Sequence, residues 1–392
     1  MTLGSPCGGT HPGSAGEIAR NATTRAGDAA SAARELVSQL GGGDAVLVVA
    51  FADWRLDAAG FASELQRGFG PTPTVGCTGH GVIGSTAIHQ PTAVATAFYG
   101  KWLRVGLGVA QDLPQSAVVR SREAVSRATA ALGTTPEALD PKRHVAFTLV
   151  DGTSGYDDAF CIGSAAAAPQ VRFVGGSAST AFGGTTRAFV WANGEALTDA
   201  GVVCVLETAR RFEAITSQHM VATKVRTVVT GSSGRIIDEL DGIPAAQRLR
   251  KLVGLLGGTL EEPQPTSFTL ARFVDGAPYI RSITRIEGDR IHLATSVDAG
   301  DVLYLMQPGD LIGRTNGDLL KASGRLGKME ALIAFCCVGR HLEATTAGQE
   351  AAFMNVYTNY PTTGFLSFGE QTGMVLVNHT LTALAFGGRL EQ

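Results

Sequence analysis

One pattern occurs three times in this sequence. Residues 45–51 (AVLVVAF), 145–150 (VAFTLV) and 331–338 (ALIAFCCV) are short, unbroken apolar runs. Such runs read as strands buried on both faces. Each leads into a stretch of helical character, at 57–69, 157–168 and 342–356, and then into a strand that meets glycine, at 73–81, 171–176 and 363–368. The intervals from Ala45 to Gly76, Val145 to Gly175 and Ala331 to Gly364 are 31, 30 and 33 positions. Near-constant spacing of one supersecondary unit predicts internal duplication. The expected fold class is therefore α/β, with repeated strand-helix-strand-hairpin units forming mixed sheets packed with helices, in two closely associated domains.

Other elements fill the gaps. An Ala-rich helix is predicted over 27–40, stopped by Gly41-Gly42-Gly43, and another over 112–132, closed by Gly133. Hairpin strands are predicted at 93–99, 103–109, 188–192, 201–206 and 374–386, the last with a break near Asn378. Residues 212–230 look strand-rich, 245–256 helical, and 268–273, 279–285 and 291–294 extended. These assignments divide the chain into a flexible segment at 1–25, a domain of two repeated units at 26–235 and a domain holding the third unit at 236–392.

Composition removes several function classes. A net charge of −3 leaves no broad basic field for nucleic acid or anionic lipid. Every apolar run falls short of the ~20 residues a membrane span needs. The first residues, MTLGSPCGGTHPGSAGE, lack the charged and apolar regions of an export signal. Cys7, Cys77, Cys161, Cys204, Cys336 and Cys337 are then expected as free thiols in a reducing cytoplasm.

Catalytic and metal motifs are weak. Gly327-Lys328 is followed by Met329, which breaks the phosphate-loop pattern. Ser154 in DGTSGY has Tyr156 where a nucleophile elbow needs glycine, so a strand-to-helix turn explains it better. Cys336 and Cys337 point to opposite faces of one strand and cannot easily share a metal with His341; one buried and one lining thiol is the better expectation. Of the eight histidines, His80 in the turn CTGHG and His219 in TSQHMVATK occupy suggestive places. An imidazole on an apolar wall suits haem ligation, although a lone histidine is more often a satisfied core residue. The glycine turns at Gly76-Cys77, Gly175-Gly176 and Gly369-Glu370 either admit a ligand close to the backbone or serve tight packing between units. Both readings stand at this point.

Several longer motifs, in order, carry a resemblance: VGCTGHGVIG (75–84), LVDG (149–152), FVGGSAS (173–179), VVTGSSGRIIDELDGIPA (228–245), FCCVGRHLEA (335–344) and TTGFLSFGEQTG…VNHT (362–380). With them the chain resembles the FIST sensory proteins, N- and C-terminal parts together, from about 28 to 388. TSQHMVATK, YIRSI (279–283) and the segment from Cys337 through Arg340 to Glu343 further resemble the NosP type, haem-based nitric-oxide sensors. The resemblance implies a cytoplasmic signal-transduction protein rather than an enzyme. It implies haem b, its iron held by His219, whose surrounding motif is the shared one, with His80 as the alternative, and a partner histidine kinase or cyclic-di-GMP enzyme, as in two-component signalling. A homodimer is compatible with it. Cys77, Gly76, Gly175, Gly176, Arg340, Gly369 and Glu370 complete the expected pocket. The alternatives are a haem-free FIST sensor of a small metabolite such as an amino acid, and a hydrolase using Ser154 or Cys77.

Overall fold

The computed structural model describes residues 17–85, 91–260 and 267–390. Cys7, His11, His89 and the start of the expected flexible segment lie outside them.

The duplication is threefold, and each copy begins one strand earlier than the sequence pattern indicates. The first unit runs β1 (Ala19–Thr24), α1 (Ala29–Leu40), β2 (Ala45–Asp53), α2 (Ala58–Phe69), β3 (Thr74–Gly79), β4 (Val82–Gly84) and β5 (Ala93–Tyr99). The second runs β6 (Leu103–Ala110), α3 (Leu113–Ala131), β7 (His144–Asp151), α4 (Asp157–Ala167), β8 (Arg172–Ala178), β9 (Val190–Ala192), β10 (Glu195–Leu197) and β11 (Gly201–Thr208). The third opens with β12 (Arg210–Gln218) and is then interrupted. The insertion holds β13 (Val221–Ser233), β14 (Ile236–Leu240), β15 (Ile243–Pro244), α5 (Ala245–Gly254), β16 (Thr269–Val274), β17 (Ala277–Arg281), β18 (Ile283–Glu287), β19 (Arg290–Leu293) and β20 (Val302–Gln307). The unit resumes with α6 (Leu311–Leu326), β21 (Ala331–Cys337), α7 (Val338–Thr346), α8 (Glu350–Thr358), β22 (Thr362–Ser367), β23 (Glu370–Thr372), β24 (Val375–Val377) and β25 (Thr380–Arg389).

Each unit builds a sheet and lends its hairpin to the next. The orders are β1-β5-β2-β3-β9-β10, β6-β11-β7-β8-β23-β24 and β12-β25-β21-β22-β4. The second unit's β9 thus completes the first sheet, the third unit's β23 the second, and the first unit's β4 the third. This cyclic exchange closes the units into a ring. Ala50↔Gly76, Thr148↔Gly175 and Ala334↔Gly364 are matching parallel pairs in the three sheets.

The inner sheet faces meet in one core, where Phe51, Phe147 and Phe335 from the three units sit within 6.3 Å of one another pairwise through Phe335. The outer faces carry the helices: α1 and α2 on the first sheet, α3 and α4 on the second, α6, α7 and α8 on the third. Helix starts and stops follow local chemistry. Asp28 accepts from Ser31 N–H at 2.9 Å to cap α1, and Gly41 at φ 69° ends it.

Several expectations change. Residues 19–24, placed in a flexible lead-in, form β1 and pair with β5 along their length. The single helix expected at 342–356 is two, α7 and α8, divided at Gly348 with φ 69°. The strand expected at 279–285 is two, separated at Ser282. The break expected near Asn378 is present between β24 and β25. β20 and α6, to which the sequence pattern assigned nothing, are respectively a member of the insertion's sheet and the third-unit counterpart of α1 and α3. Among the described residues no helix is long and apolar enough to cross a membrane.

Candidate functional site

A cavity of about 420 Å³ lies where the second unit, the third unit and the insertion meet. That volume is within the ~300–1,000 Å³ typical of small-molecule sites. It opens at the C-terminal ends of β7 and β21, where parallel strands turn into helices and leave a crevice. Gly152 and Phe182 come from the second unit, Arg235, Ser282 and Ile283 from the insertion, and Gly339, Leu342, Phe368 and His379 from the third.

The wall is built by local necessity. After β7, the buried Asp151 carboxylate accepts from Thr153 N–H at 2.8 Å and Asp199 N–H at 2.8 Å, which folds 151–154 into a tight turn. α7 starts directly after Cys337 with no side-chain cap and no acidic residue in its first turn, and Val338 and Gly339 from that turn border the cavity. Its N-terminal N–H groups and dipole therefore favour a negative group there. Arg235 donates to Asp157 and, at 2.8 Å, to Asp158, tying the insertion to α4. Although burial alone would lower its pKa, those carboxylates raise it.

A buried polar chain backs the cavity. Ser282 Oγ lies 2.8 Å from His379 Nδ1, His379 Nε2 lies 3.5 Å from Glu343, and the Glu343 oxygens lie 2.9 and 3.0 Å from His219 Nε2. Burial pushes the Glu343 carboxyl up, but the hydrogen bond from His219 and the nearby His379 imidazole outweigh it and hold the pKa down to about 2. Burial lowers the His219 pKa. An ionised Glu343 requires N–H on His219 Nε2 and favours the His379 tautomer with its proton on Nε2, in which Nδ1 accepts from the Ser282 hydroxyl.

The residues expected to form the pocket sit beside it rather than on it. Gly76 and Cys77 are inside β3, and Gly175 and Gly176 inside β8. A Cβ on Gly76 would come 1.7 Å from the Ala50 carbonyl, and one on Gly175 would come 2.4 Å from that of Thr148. The packing reading of these glycines explains them. His80 donates its backbone N–H to Ser179 Oγ at 2.8 Å, and its Nδ1 is 2.9 Å from the Thr180 carbonyl. Arg340 is fully buried; it donates to the Ser217 carbonyl at 3.0 Å and lies over the Phe353 ring. Gly369 packs on Leu376, next to the wall residue Phe368. Glu370 is fully buried and accepts from Ser367 Oγ at 2.7 Å; burial pushes its pKa well up. Cys337 borders the cavity while Cys336 is buried against Tyr357, as the opposed-faces argument required.

The wall residues with chemistry, Ser282, His379 and Arg235, lie in motifs that carried the family resemblance but were given no role. Nothing local marks them, because Ser282 and His379 are 97 positions apart.

Two family descriptions match this chain: the FIST N domain over 46–243 and the FIST C domain over 245–372. The chain belongs to the FIST family. FIST domains are signal-transduction sensor domains that bind small ligands. The family boundary, between 243 and 245, falls inside the insertion, a few residues beyond the division expected at 235. No curated protein matches the chain. Among solved structures, a cyanuric acid hydrolase from A. caulinodans aligns over 95% of this chain and 99% of its own, at 13% identity and a TM-score of 0.35.

Haem b needs an imidazole nitrogen turned toward an open apolar space. His219 Nε2 is held by Glu343, and the His219 side chain is 0% exposed. His80 and His219 do not border the cavity. His379 and His292 do, but the two nitrogens of His379 face Ser282 and Glu343, and His292 Nε2 stands 3.1 Å from Glu287. Among the described residues, no group of three His, Cys, Asp or Glu side chains is arranged to hold a metal ion. As arranged, this donor set does not fit an axial haem ligand. Nor does it favour the expected nucleophiles: Ser154 Oγ donates to the Asp151 carbonyl at 2.7 Å, and the buried Cys77 thiol is pushed well up in pKa by burial.

Proposed function

We propose that this FIST protein is a ligand-binding sensor whose signal molecule is a small amphipathic carboxylate, such as an amino acid or a simple derivative of one. The observation that carries this reading is the cavity's combination of an uncapped helix N-terminus at Val338-Gly339 with apolar cover from Phe182, Phe368, Ile283 and Leu342. The carboxylate would lie at the first turn of α7 and the apolar part against the two phenylalanines. The two rings already stand edge to face at 6.4 Å.

Signalling follows from who owns the walls. Because three separate parts of the chain enclose the cavity, a ligand that touches all of them favours one relative arrangement over others. A partner protein, in the NosP pattern a histidine kinase or a cyclic-di-GMP enzyme, would read that shift. Haem b with nitric oxide as the signal would need His379 freed from Ser282 and Glu343, or His292 drawn away from Glu287, so the haem-free reading is the one this wall supports better.

One experiment tests both. Calorimetric titration with a panel of small carboxylates should find a binder, and Leu342→Trp, which fills the cavity, should abolish its binding without lowering the melting temperature. Titration with haem should produce no sharpened, shifted Soret band of the kind that bound haem gives. A strong Soret band that His219→Ala removes would replace this reading with the haem one, and a bound carboxylate indifferent to Leu342→Trp would place the site elsewhere.

A further inference from the structure

The same wall carries more than binding requires. Ser282, His379 and Glu343 stand in line: hydroxyl, imidazole, carboxylate, at 2.8 and 3.5 Å. Ser282 and His379 border the cavity, and the Glu343 side chain behind them is 13% exposed. This is the order of roles in a nucleophile, its base and the group that orients the base, with the two imidazole nitrogens exchanged relative to the common serine hydrolases. Free catalytic sites often show longer carboxylate contacts than bound ones.

Three details show that the arrangement is held in place. His379 takes φ 49° in the tight turn between β24 and β25, a left-handed conformation that aims its ring at the cavity wall. Gly339 makes room for that ring: a Cβ there would stand 2.7 Å from His379 Cε1. The backbone N–H of Ser282 is anchored to the Asn378 side-chain oxygen at 3.3 Å, next to the histidine it must meet. The first turn of α7 lies on the same wall, its N–H groups without a side-chain cap, where a developing oxyanion would need donors.

We infer that Ser282 is an acyl-accepting nucleophile, activated by His379, and that the cavity acts on small carboxylic esters, lactones included. Ser282 Oγ bonds to the carbonyl carbon as its proton passes to His379 Nδ1. The tetrahedral adduct collapses by breaking the ester C–O bond, and the departing oxygen takes the proton from His379. Water, deprotonated by the same imidazole, then attacks the acyl-serine, releasing the carboxylic acid and restoring the hydroxyl. Ester and water become acid and alcohol, with no other reactant. Glu343 is a positioning residue, holding the His379 tautomer with Nδ1 free to accept. The inference goes beyond the proposed sensing role and uses its cavity.

The full chain treated with an alkyl fluorophosphonate tests this. One adduct by intact mass, mapped to Ser282, is expected. Ser282→Ala should abolish it, His379→Ala should slow it at least about 100-fold, and Ser154→Ala should leave it unchanged. Glu343→Gln should lower the maximal inactivation rate more than the half-saturating probe concentration, which a merely loosened fold would not do. Ser282→Cys gives a second arm: its thiol should react with iodoacetamide far faster than the thiols of the parent protein, and His379→Ala should remove the difference. No adduct on the folded protein, or an adduct that survives Ser282→Ala, overturns the inference. If carboxylate binding persists in that protein, the acyl step alone falls and the sensing cavity stands.

Discussion

His219 Nε2 and the carboxylate of Glu343 meet at 2.9 and 3.0 Å across 124 positions of sequence. His219 sits between β12 and β13, where the chain leaves the three-unit ring and enters the insertion; Glu343 sits on α7, behind the cavity. The pair pins the junction of the two parts to the helix whose first turn lines the candidate site.

Glu343→Gln should destabilise the protein at neutral pH. The Glu343 pKa of about 2 lies below its ordinary value of 4.5, so its contribution is present above about pH 4.5 and is lost as pH falls toward 2. A shift of that size corresponds to about 3 kcal/mol. His219, whose pKa is lowered by burial, acts in the same direction, since acid favours the unfolded chain that can protonate it. Urea denaturation at a series of pH values should show the variant weaker at pH 7 and flatter between pH 5 and 2. Parallel curves for the two proteins would remove this assignment.

Glu370 should show the opposite sign. Burial raises its pKa well above 4.5, so its contribution is intact below about pH 4.5 and declines as pH rises toward the folded value. Glu370→Gln keeps the shape without the titration. Its stability relative to the parent should therefore increase with pH between 5 and 8, measured by the same denaturation series. A difference that does not vary with pH would mean the acid is ionised in the fold.

The same substitution should act in opposite directions at two glycines. Gly175→Ala drives a methyl group against the Thr148 carbonyl and should cost at least about 1–3 kcal/mol. Gly317→Ala, within α6 with nothing within 4 Å of the new carbon, should stabilise by roughly 0.5–1 kcal/mol. Thermal melts of the two single variants decide it; equal shifts would show that the strand glycine is not confined by its neighbour.

Arg235→Ala leaves Asp157, 2% exposed, without its cation. Breaking a buried pair from one side costs about 3–5 kcal/mol. A cycle with Asp157→Asn should recover much of the loss, because the neutral side chain no longer needs a counter-charge. Additive losses in the double variant would show that the two groups do not act on each other.

The repeat was legible because its physics is local. Unbroken β-branched runs such as AVLVVAF cannot face water, and glycine follows them at fixed intervals where backbone passes backbone. α6 escaped because LIGRTNGDLLKASGRL contains three glycines, a poor helix by propensity. Its helix is held instead by Asp310, which accepts from Gly313 N–H at 2.8 Å, and by the burial of Leu319, Ala322 and Leu326 against the third sheet.

By itself the sequence determined the α/β class, the three strand-helix-strand copies, the recurrence of glycine after each and the family. These depend on patterns a few residues long, where side-chain periodicity and backbone sterics act directly. Only the tertiary structure decided the exchange of hairpins that closes the ring, the position of the cavity, and the meeting of Ser282, His379 and Glu343. Those three come from a strand break in the insertion, a left-handed turn and a helix. Their approach depends on how sheets stack, and no spacing along the chain encodes it.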